Sequence, residues 1–544
     1  MLKKILALTL ALICCVTLFV GCGNRNKVNF DKDSYKGSTD LDNYVRPDLS
    51  GVTITQYMTA NSDYDPDGCW LDGQIEELLG CTHKVEELDS WGSQYIPMIA
   101  EGKVPDISWL NSYTAQYIRF GREGVYVNFY DYLDILPNIN YFLNDAQNAA
   151  DVARYTLEDG VLYALPIHHE GSTAPNAFLY RKDVFDKYGL TFPTNQEEFV
   201  DTLRKLKELE PDSKPFIMRS MEGNIQGAQS FGHLWGASHV LQGNYGTIFT
   251  LDENGNYFMA QQSLAYKEMA QFFYDMIQEG LMHKSSMTVD TAGWMEAFAS
   301  DTSFITFDKV DRLPLLNRTG TSLGKAGFEI VAAAPFNFGT YATTTDVVST
   351  SWGEGIGSGT GYVYCIGANE NMGNTLAYMD WLYSREGQIL TNWGVEGVSW
   401  EWEDQEAGVR KYVDGFLDAQ GGRTKSGLGT PALTSVIKFD AYTLSLTESE
   451  KESLELAQQF LGKNPAQHKI LFTDEEQFDY DSYGTACYNY AQSQWSKFVL
   501  GERPFSEWDQ VVKELKANYQ YDRMMEIHKA ALERLLAEHP EIQY

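Results

Sequence analysis

Positive charge is scarce in this sequence. Lys and Arg number 42 against 75 Asp and Glu, a formal net charge of −33. A chain this acidic offers no general basic surface for phosphates, which argues against nucleic acid and against direct adhesion to anionic lipid. Cysteine is nearly as sparse: seven residues, of which Cys14, Cys15 and Cys22 stand near the start. The other four, Cys69, Cys81, Cys365 and Cys487, contain no CxxC and no Cys/His zinc spacing. Cys69 and Cys81 flank a predicted helix over 71–79. An intact helix of that length holds its ends about 15 Å apart, beyond the roughly 7 Å reach of a disulfide, so a bridge is the less favoured alternative. HExxH and P-loop motifs are missing, and so is any internal repeat. One G-x-S-x-G occurs at 320–324, but polar residues surround it. A nucleophile elbow needs a strand before it and a helix after it, so this stretch reads as a polar loop.

The apolar run at 5–20 comes after Lys3 and Lys4 and stops at Gly21 and Cys22. It falls short of the roughly 20 residues of a spanning helix and has the form of a secretory signal. Its end, Phe19-Val-Gly-Cys22, resembles a bacterial lipobox, with Phe19 where Leu is usual. That resemblance implies a signal peptide over 1–21, cleavage before Cys22, and a diacylglycerol thioether on its sulfur. An uncleaved N-terminal anchor is the alternative. Residues 22–50 carry little apolar content and read as a flexible tether. The globular part is therefore expected outside the cytoplasm, lipid-anchored to the outer face of the cell membrane.

The composition is that of a globular protein: 43% of the chain is hydrophobic and 13% aromatic, with 12 Trp and 33 Tyr. The β-branched run at 52–57 reads as a strand, 83–88 as a second and 105–110 as a third, with helical patterns between them. That alternation indicates βαβ units and a parallel sheet. Thr194-Asn-Gln-Glu197 has capping-box spacing, which predicts a helix to about 210 with Phe199, Leu203 and Leu206 on one face. Amphipathic helices are also predicted over 261–280 and 375–390, and a mostly helical region from 454 onward.

Asp159-Gly-Val-Leu-Tyr-Ala-Leu-Pro166 resembles a segment of the extracellular solute-binding proteins of ABC importers, family 1. Further matches come in the same order along the chain. They are Tyr180-Arg-Lys-Asp183 with Gly189-Leu190, Glu279-Gly-Leu281, and Asp380-Trp-Leu-Tyr-Ser-Arg-Glu-Gly387 with Trp393-Gly-Val-Glu-Gly397. Together they cover nearly the whole chain beyond 52. They are most similar to the large lipoprotein subgroup that takes up complex carbohydrates. The resemblance implies an α/β, two-lobed periplasmic-binding-protein-like (type II) fold with a hinge and a helix-rich C-terminal part. The N-terminal lobe would comprise 51–166 and 332–400, and the C-terminal lobe 167–331 and 401–544. It further implies a monomer that needs no cofactor or metal and captures an oligosaccharide in an interlobe cleft for ABC permease subunits.

Sugars present apolar C–H faces and a rim of hydroxyls, which suit aromatic rings and Asp, Glu, Asn or His. Open α/β sheets bind ligands beyond the carboxyl ends of strands. Trp109 with Asn111, Trp70, Trp352 and Trp235 are therefore candidates for the cleft, each with core packing as the alternative. Trp381, Trp495 and Trp508 lie on amphipathic helices and read as core. His168, His169 and Glu170 come after the hinge proline as ligand residues or hinge packing; adjacent positions on an extended chain point apart, which disfavours a shared metal. Asp308 stands just after a predicted strand at 304–307, where the family often has a ligand residue. Asp63, Asp65, Asp67 and Gly68 fit the start of a calcium loop, but Gln74 stands where the bidentate Glu belongs. Asp65 is thus read as part of a solvated acidic turn or as a sugar-hydroxyl acceptor. Two other classes stay open: a lipid-anchored glycoside hydrolase, and a peptide-binding or sensor lipoprotein.

Overall fold

The computed structural model describes residues 30–538, apart from 60–63, 65–67, 89–93, 112–115, 158, 172–174, 222–223, 226–227, 238–240, 243–247, 252–256, 344, 347–361, 424 and 462–471. Two compact units emerge, one of Met1–His168 with Gly359–Lys438, the other of His169–Ser358 with Phe439–Tyr544. In chain order the principal strands are β1 (Thr53–Thr59), β2 (Thr82–Leu88), β3 (Ile107–Asn111), β4 (Leu165–Pro166), β5 (His168–His169) and β6 (Asn176–Arg181). They continue as β7 (Ile305–Lys309), β8 (Ile330–Ala333), β9 (Tyr362–Ile366), β10 (Trp400–Asp404), β11 (Val409–Tyr412) and β12 (Val436–Ile437). The principal helices are α1 (Trp70–Leu79), α2 (Pro137–Asn144), α3 (Gln196–Leu209), α4 (Leu264–Gln278), α5 (Thr291–Ala299) and α6 (Leu313–Ser322). After them come α7 (Met372–Tyr383), α8 (Arg385–Trp393), α9 (Thr485–Val499), α10 (Trp508–Asn518) and α11 (Tyr521–Glu538).

The first unit is built on a five-stranded sheet of order β2-β1-β3-β9-β4. β1 runs parallel to β2 and β3, and β9 is antiparallel to β3 and β4. Period-2 burial explains β1: Ile54, Gln56 and Met58 are buried while the residues between them are not. The stretch expected to form one helix over 375–390 is two. Ser384 ends α7 and caps α8, its hydroxyl accepting from Gly387 N at 3.1 Å. The matching motif is structural throughout. Trp381 Nε1 donates to Glu386 at 2.9 Å and Tyr383 OH to the Pro166 carbonyl at 2.7 Å. Asp380 is fully buried and accepts from Asn138 N, Ile139 N and Asn138 Nδ2 at the start of α2.

The expected 22–50 tether is corrected from residue 30 onward. Phe30 packs on Tyr132, Lys32 pairs with Asp134, Arg46 pairs with Glu386, and Leu49 is buried. Phe30, Tyr35, Tyr44 and Leu49 act as anchors because they pack against the core of the first unit, whereas Leu41 and Val45 stay exposed. Signal peptide and lipobox lie outside the described residues.

The second unit carries an antiparallel sheet of order β7-β6-β8. This corrects the lobe boundaries. β8 bonds along β6, so the chain stays in the second unit past 332 and returns only before β9. The first unit likewise keeps the chain through Lys438 rather than releasing it at 400. α3 starts one residue later than the capping box suggests: Asn195 is the N-cap, and Glu198 accepts from the Thr194 backbone N–H and hydroxyl. Its buried face is Phe199, Leu203 and Leu206, against the core face of α4, Tyr266, Met269, Phe273 and Met276. Ser322 is the last residue of α6, so the G-x-S-x-G ends a helix rather than forming a loop. Among the described residues no helix is long and apolar enough to cross a membrane.

Candidate functional site

The site of the first unit begins at the carboxyl end of β3. Trp109 is 1% exposed, and its ring lies on Tyr362, with centroids 4.0 Å apart and planes within 11°. Tyr362, the first residue of β9, is half-buried and faces Asn111 in the strand register. Trp109 is therefore core, and Tyr362 is the ring it supports at the surface. Tyr362 is not among the residues that the sequence singles out. Its alternation with the buried Tyr364, two residues on, is the signal that could have found it.

A glycine-rich segment holds this platform. Trp109 Nε1 and Tyr364 OH both donate to the Pro431 carbonyl at 2.8 Å, and Gln56 Nε2 donates to the Ala432 carbonyl at 3.0 Å. Leu71 N bonds the Ser426 carbonyl at 2.9 Å, which ties the start of α1 to the same segment. Gly427, at φ +91°, makes the close approach possible: a Cβ there would sit 2.3 Å from Cys69 Sγ and 2.8 Å from Leu71 Cβ. Gly427→Ala is expected to destabilise the first unit by about 1–2 kcal/mol from backbone strain alone, measured as a fall in melting temperature.

Trp70 opens α1 half-buried, edge-on to Phe416 at 4.9 Å. Cys69 and Cys81, at either end of α1, are buried and not bridged to each other. The hairpin of β10 and β11 supplies more rings, but Arg410 lies over Trp402 at 4.6 Å and Trp400 at 5.0 Å, so those faces are taken.

His168 is buried, edge-on to Phe142, and its N–H bonds the Ser435 carbonyl at 2.9 Å. It is therefore packing within the first unit. His169 and Glu170 are half-exposed.

In the second unit Asp308 is the penultimate residue of β7 and is 2% exposed. Arg219, also buried, grips it with both arms: Nε to Oδ2 at 2.7 Å and Nη2 to Oδ1 at 3.0 Å. Arg219 also donates to Thr291 Oγ1 at 3.2 Å and lies over the Trp294 ring. Burial pushes the Asp308 carboxyl up, but the guanidinium outweighs it and holds the carboxyl below its ordinary value. Both oxygens are committed, so Asp308 is a structural ion pair rather than a free ligand group. Trp235 is likewise core, 2% exposed and stacked on Phe338 at 5.2 Å. Asp65 and Trp352 lie outside the described residues, as does the side chain of Asn111.

Among the described residues no cluster of His, Cys, Asp or Glu is arranged to hold a metal ion. The arrangement in the first unit can hold a flat apolar face against Tyr362.

A family model described as bacterial extracellular solute-binding protein matches residues 74–393. The chain is 22% identical to lipoprotein LipO of Bacillus subtilis (strain 168) over 535 residues, 97% of this chain and 98% of that protein. Among solved structures, the alginate-binding protein AlgQ2 is similar with a TM-score of 0.71 and 19% identity, over 89% of this chain and 98% of that one. The ABC-transporter substrate-binding protein FusA of Streptococcus pneumoniae, solved with kestose, gives 0.68 at 17% identity, over 89% and 100%. At these identities the structures share the fold.

Proposed function

Because the chain belongs to the bacterial extracellular solute-binding proteins, we propose that it captures a carbohydrate outside the cell and passes it unaltered to the permease subunits of an ABC importer. An oligosaccharide is the favoured ligand. The observation that carries this reading is the Tyr362 ring backed by Trp109 at the carboxyl end of β3. A ring so supported keeps one orientation and costs little further ordering when a sugar face lands on it. Structural relatives solved with kestose or described as alginate-binding support the same ligand class. Trp70 and Tyr362 would meet the ligand in the first unit, while Asn111, His169 and Glu170 stay in the proposed set on sequence grounds. Asp65 and Trp352 stay in the proposed set on sequence grounds alone. The anchor is the lipid on Cys22.

A glycan panel tests this. Sugars are expected to raise the melting temperature with no new reducing ends. New reducing ends would make the protein a hydrolase, and a shift with peptides alone would refute the carbohydrate reading. Tyr362→Ala is expected to weaken sugar binding about 3- to 10-fold, the loss of one aromatic contact, in a calorimetric titration.

A further inference from the structure

At the end of β7 the second unit gathers Arg219, Lys309 and Arg312 with the carboxylates of Asp308 and Asp311. Arg219 takes both oxygens of Asp308, and Arg312 Nε lies 3.4 Å from Asp311 Oδ1. The cation left over is Lys309, whose ammonium makes no hydrogen bond or ion pair among the described residues. Other cations set into this unit are answered: Arg181 by Asp183 and Asp301, and Arg503 by Glu514. Lys309 is half-buried, yet burial is the largest influence on its ammonium and lowers it below its ordinary value. Arg312 and Arg219 act in the same direction, against Asp311 and Asp308. A side chain that keeps open area under so strong a burial effect stands in a recess.

That recess has a definite place in the unit. Lys309 is the last residue of β7 and pairs with Asn176, the first residue of β6. Val310 N bonds the Pro175 carbonyl at 2.9 Å. The chain enters this unit at His169, so Lys309 stands beside the entering segment. The chain comes back into the unit at Phe439, which packs against the apolar cluster that holds Val310. Phe439 also lies against Gly171, where a Cβ would come within 3.1 Å of its ring. Entry, return and the Lys309 recess therefore share one edge of the second unit.

We propose that Lys309 receives an anionic group of the ligand, so that the carbohydrate this protein captures carries one acidic substituent, a carboxylate or a sulfate ester. The inference rests on the carbohydrate reading above and names the class of sugar. An ammonium drawn partly out of water loses hydration that no carboxylate of the chain replaces here, and an anion from outside replaces it. Its three N–H donors serve an oxygen anion of either kind. One ammonium fits one acidic substituent. A sugar charged along its whole length would meet the repulsion of a chain with a net charge of −33.

Calorimetric titration of the full chain tests this with a panel of oligosaccharides that bear one uronic acid. Each is matched by its carboxyl-reduced neutral counterpart and by a counterpart with one sulfate ester. An acidic member is expected to bind about tenfold tighter than its neutral match, the worth of one charge-assisted hydrogen bond. Whether the uronate or the sulfate gains identifies the anion. Lys309→Met is expected to abolish the ratio of acidic to neutral affinity at an unchanged melting temperature, and Lys309→Arg to keep most of it. Neutral sugars that bind the parent as tightly as their acidic matches overturn the inference alone. A ratio that survives in Lys309→Met overturns it as well, and a lower melting temperature in that variant would make the lysine structural. No binding of any member, neutral or acidic, overturns the carbohydrate reading with it.

Discussion

Asp308→Ala is expected to lower the stability of the second unit by about 3–5 kcal/mol, the usual result of stranding one charge of a buried pair. Arg219 and Asp308 are both nearly inaccessible, and the guanidinium reaches the carboxylate with two short bonds. Removal of the carboxylate leaves Arg219 with Thr291 and the Trp294 face as its remaining neighbours on the structure. Urea unfolding followed by tryptophan fluorescence measures the loss. The paired replacement of Arg219→Met with Asp308→Leu is expected to recover most of it, because apolar residues of similar volume need no desolvated charge. A loss below about 1 kcal/mol, coupled to weaker sugar binding, would return Asp308 to the ligand set.

Asp380→Ala is expected to cost the first unit about 3 kcal/mol or more, since it leaves three N–H groups at the start of α2 without their acceptor. Asp380→Asn keeps Oδ1 for the Asn138 and Ile139 backbone N–H groups, both 3.0 Å away, and is expected to cost far less. The two variants also differ from the parent in pH dependence. Burial pushes the Asp380 carboxyl up from 3.8 to about 6, against the downward pull of the Ile139 and Asn138 N–H donors. In the unfolded chain the group loses its proton near 3.8 while the folded chain keeps it, so its stabilising contribution is complete below that pH. It fades as pH rises and is gone above about 6. The span corresponds to about 3 kcal/mol. The parent is therefore expected to gain stability relative to Asp380→Asn as pH falls from about 7 to about 4. Parallel stability curves for the two proteins across that range would show that Asp380 titrates normally.

Legibility differed sharply between elements and site. Phe199, Leu203 and Leu206 declare a helix face because helical spacing alone puts them together, and all three are buried. The same holds for Trp381, Trp495 and Trp508, which read as core and are buried. For Trp109 the sequence leaves cleft and core equally open, and nothing near it in the chain resolves that. Its ring is closed off by Tyr362 and by the Pro431 carbonyl, the latter 322 residues away. Four glycines at 421, 422, 427 and 429, all at positive φ, mark the segment that does this. In the sequence they form no periodic pattern. Phe30, Tyr35 and Tyr44 were hidden for a similar reason: three anchors spread over a polar stretch have no periodicity, and only a surface shaped to receive them makes them a strap.

By itself the sequence determined the class of this protein: strands alternating with helices, and motifs in the order of an extracellular solute-binding protein. Those properties are local or additive, and each is carried by residues within a few positions of one another. Only the tertiary structure decided which aromatic ring reaches the surface, which carboxylate is already paired, and where the N-terminal segment binds. Each of those depends on the free energy of burying one particular group against another that arrives from a distant part of the chain. Asp308 is a hydroxyl acceptor or a structural ion according to whether Arg219 reaches it, and that distance exists only once β7 and the segment after α3 have folded together.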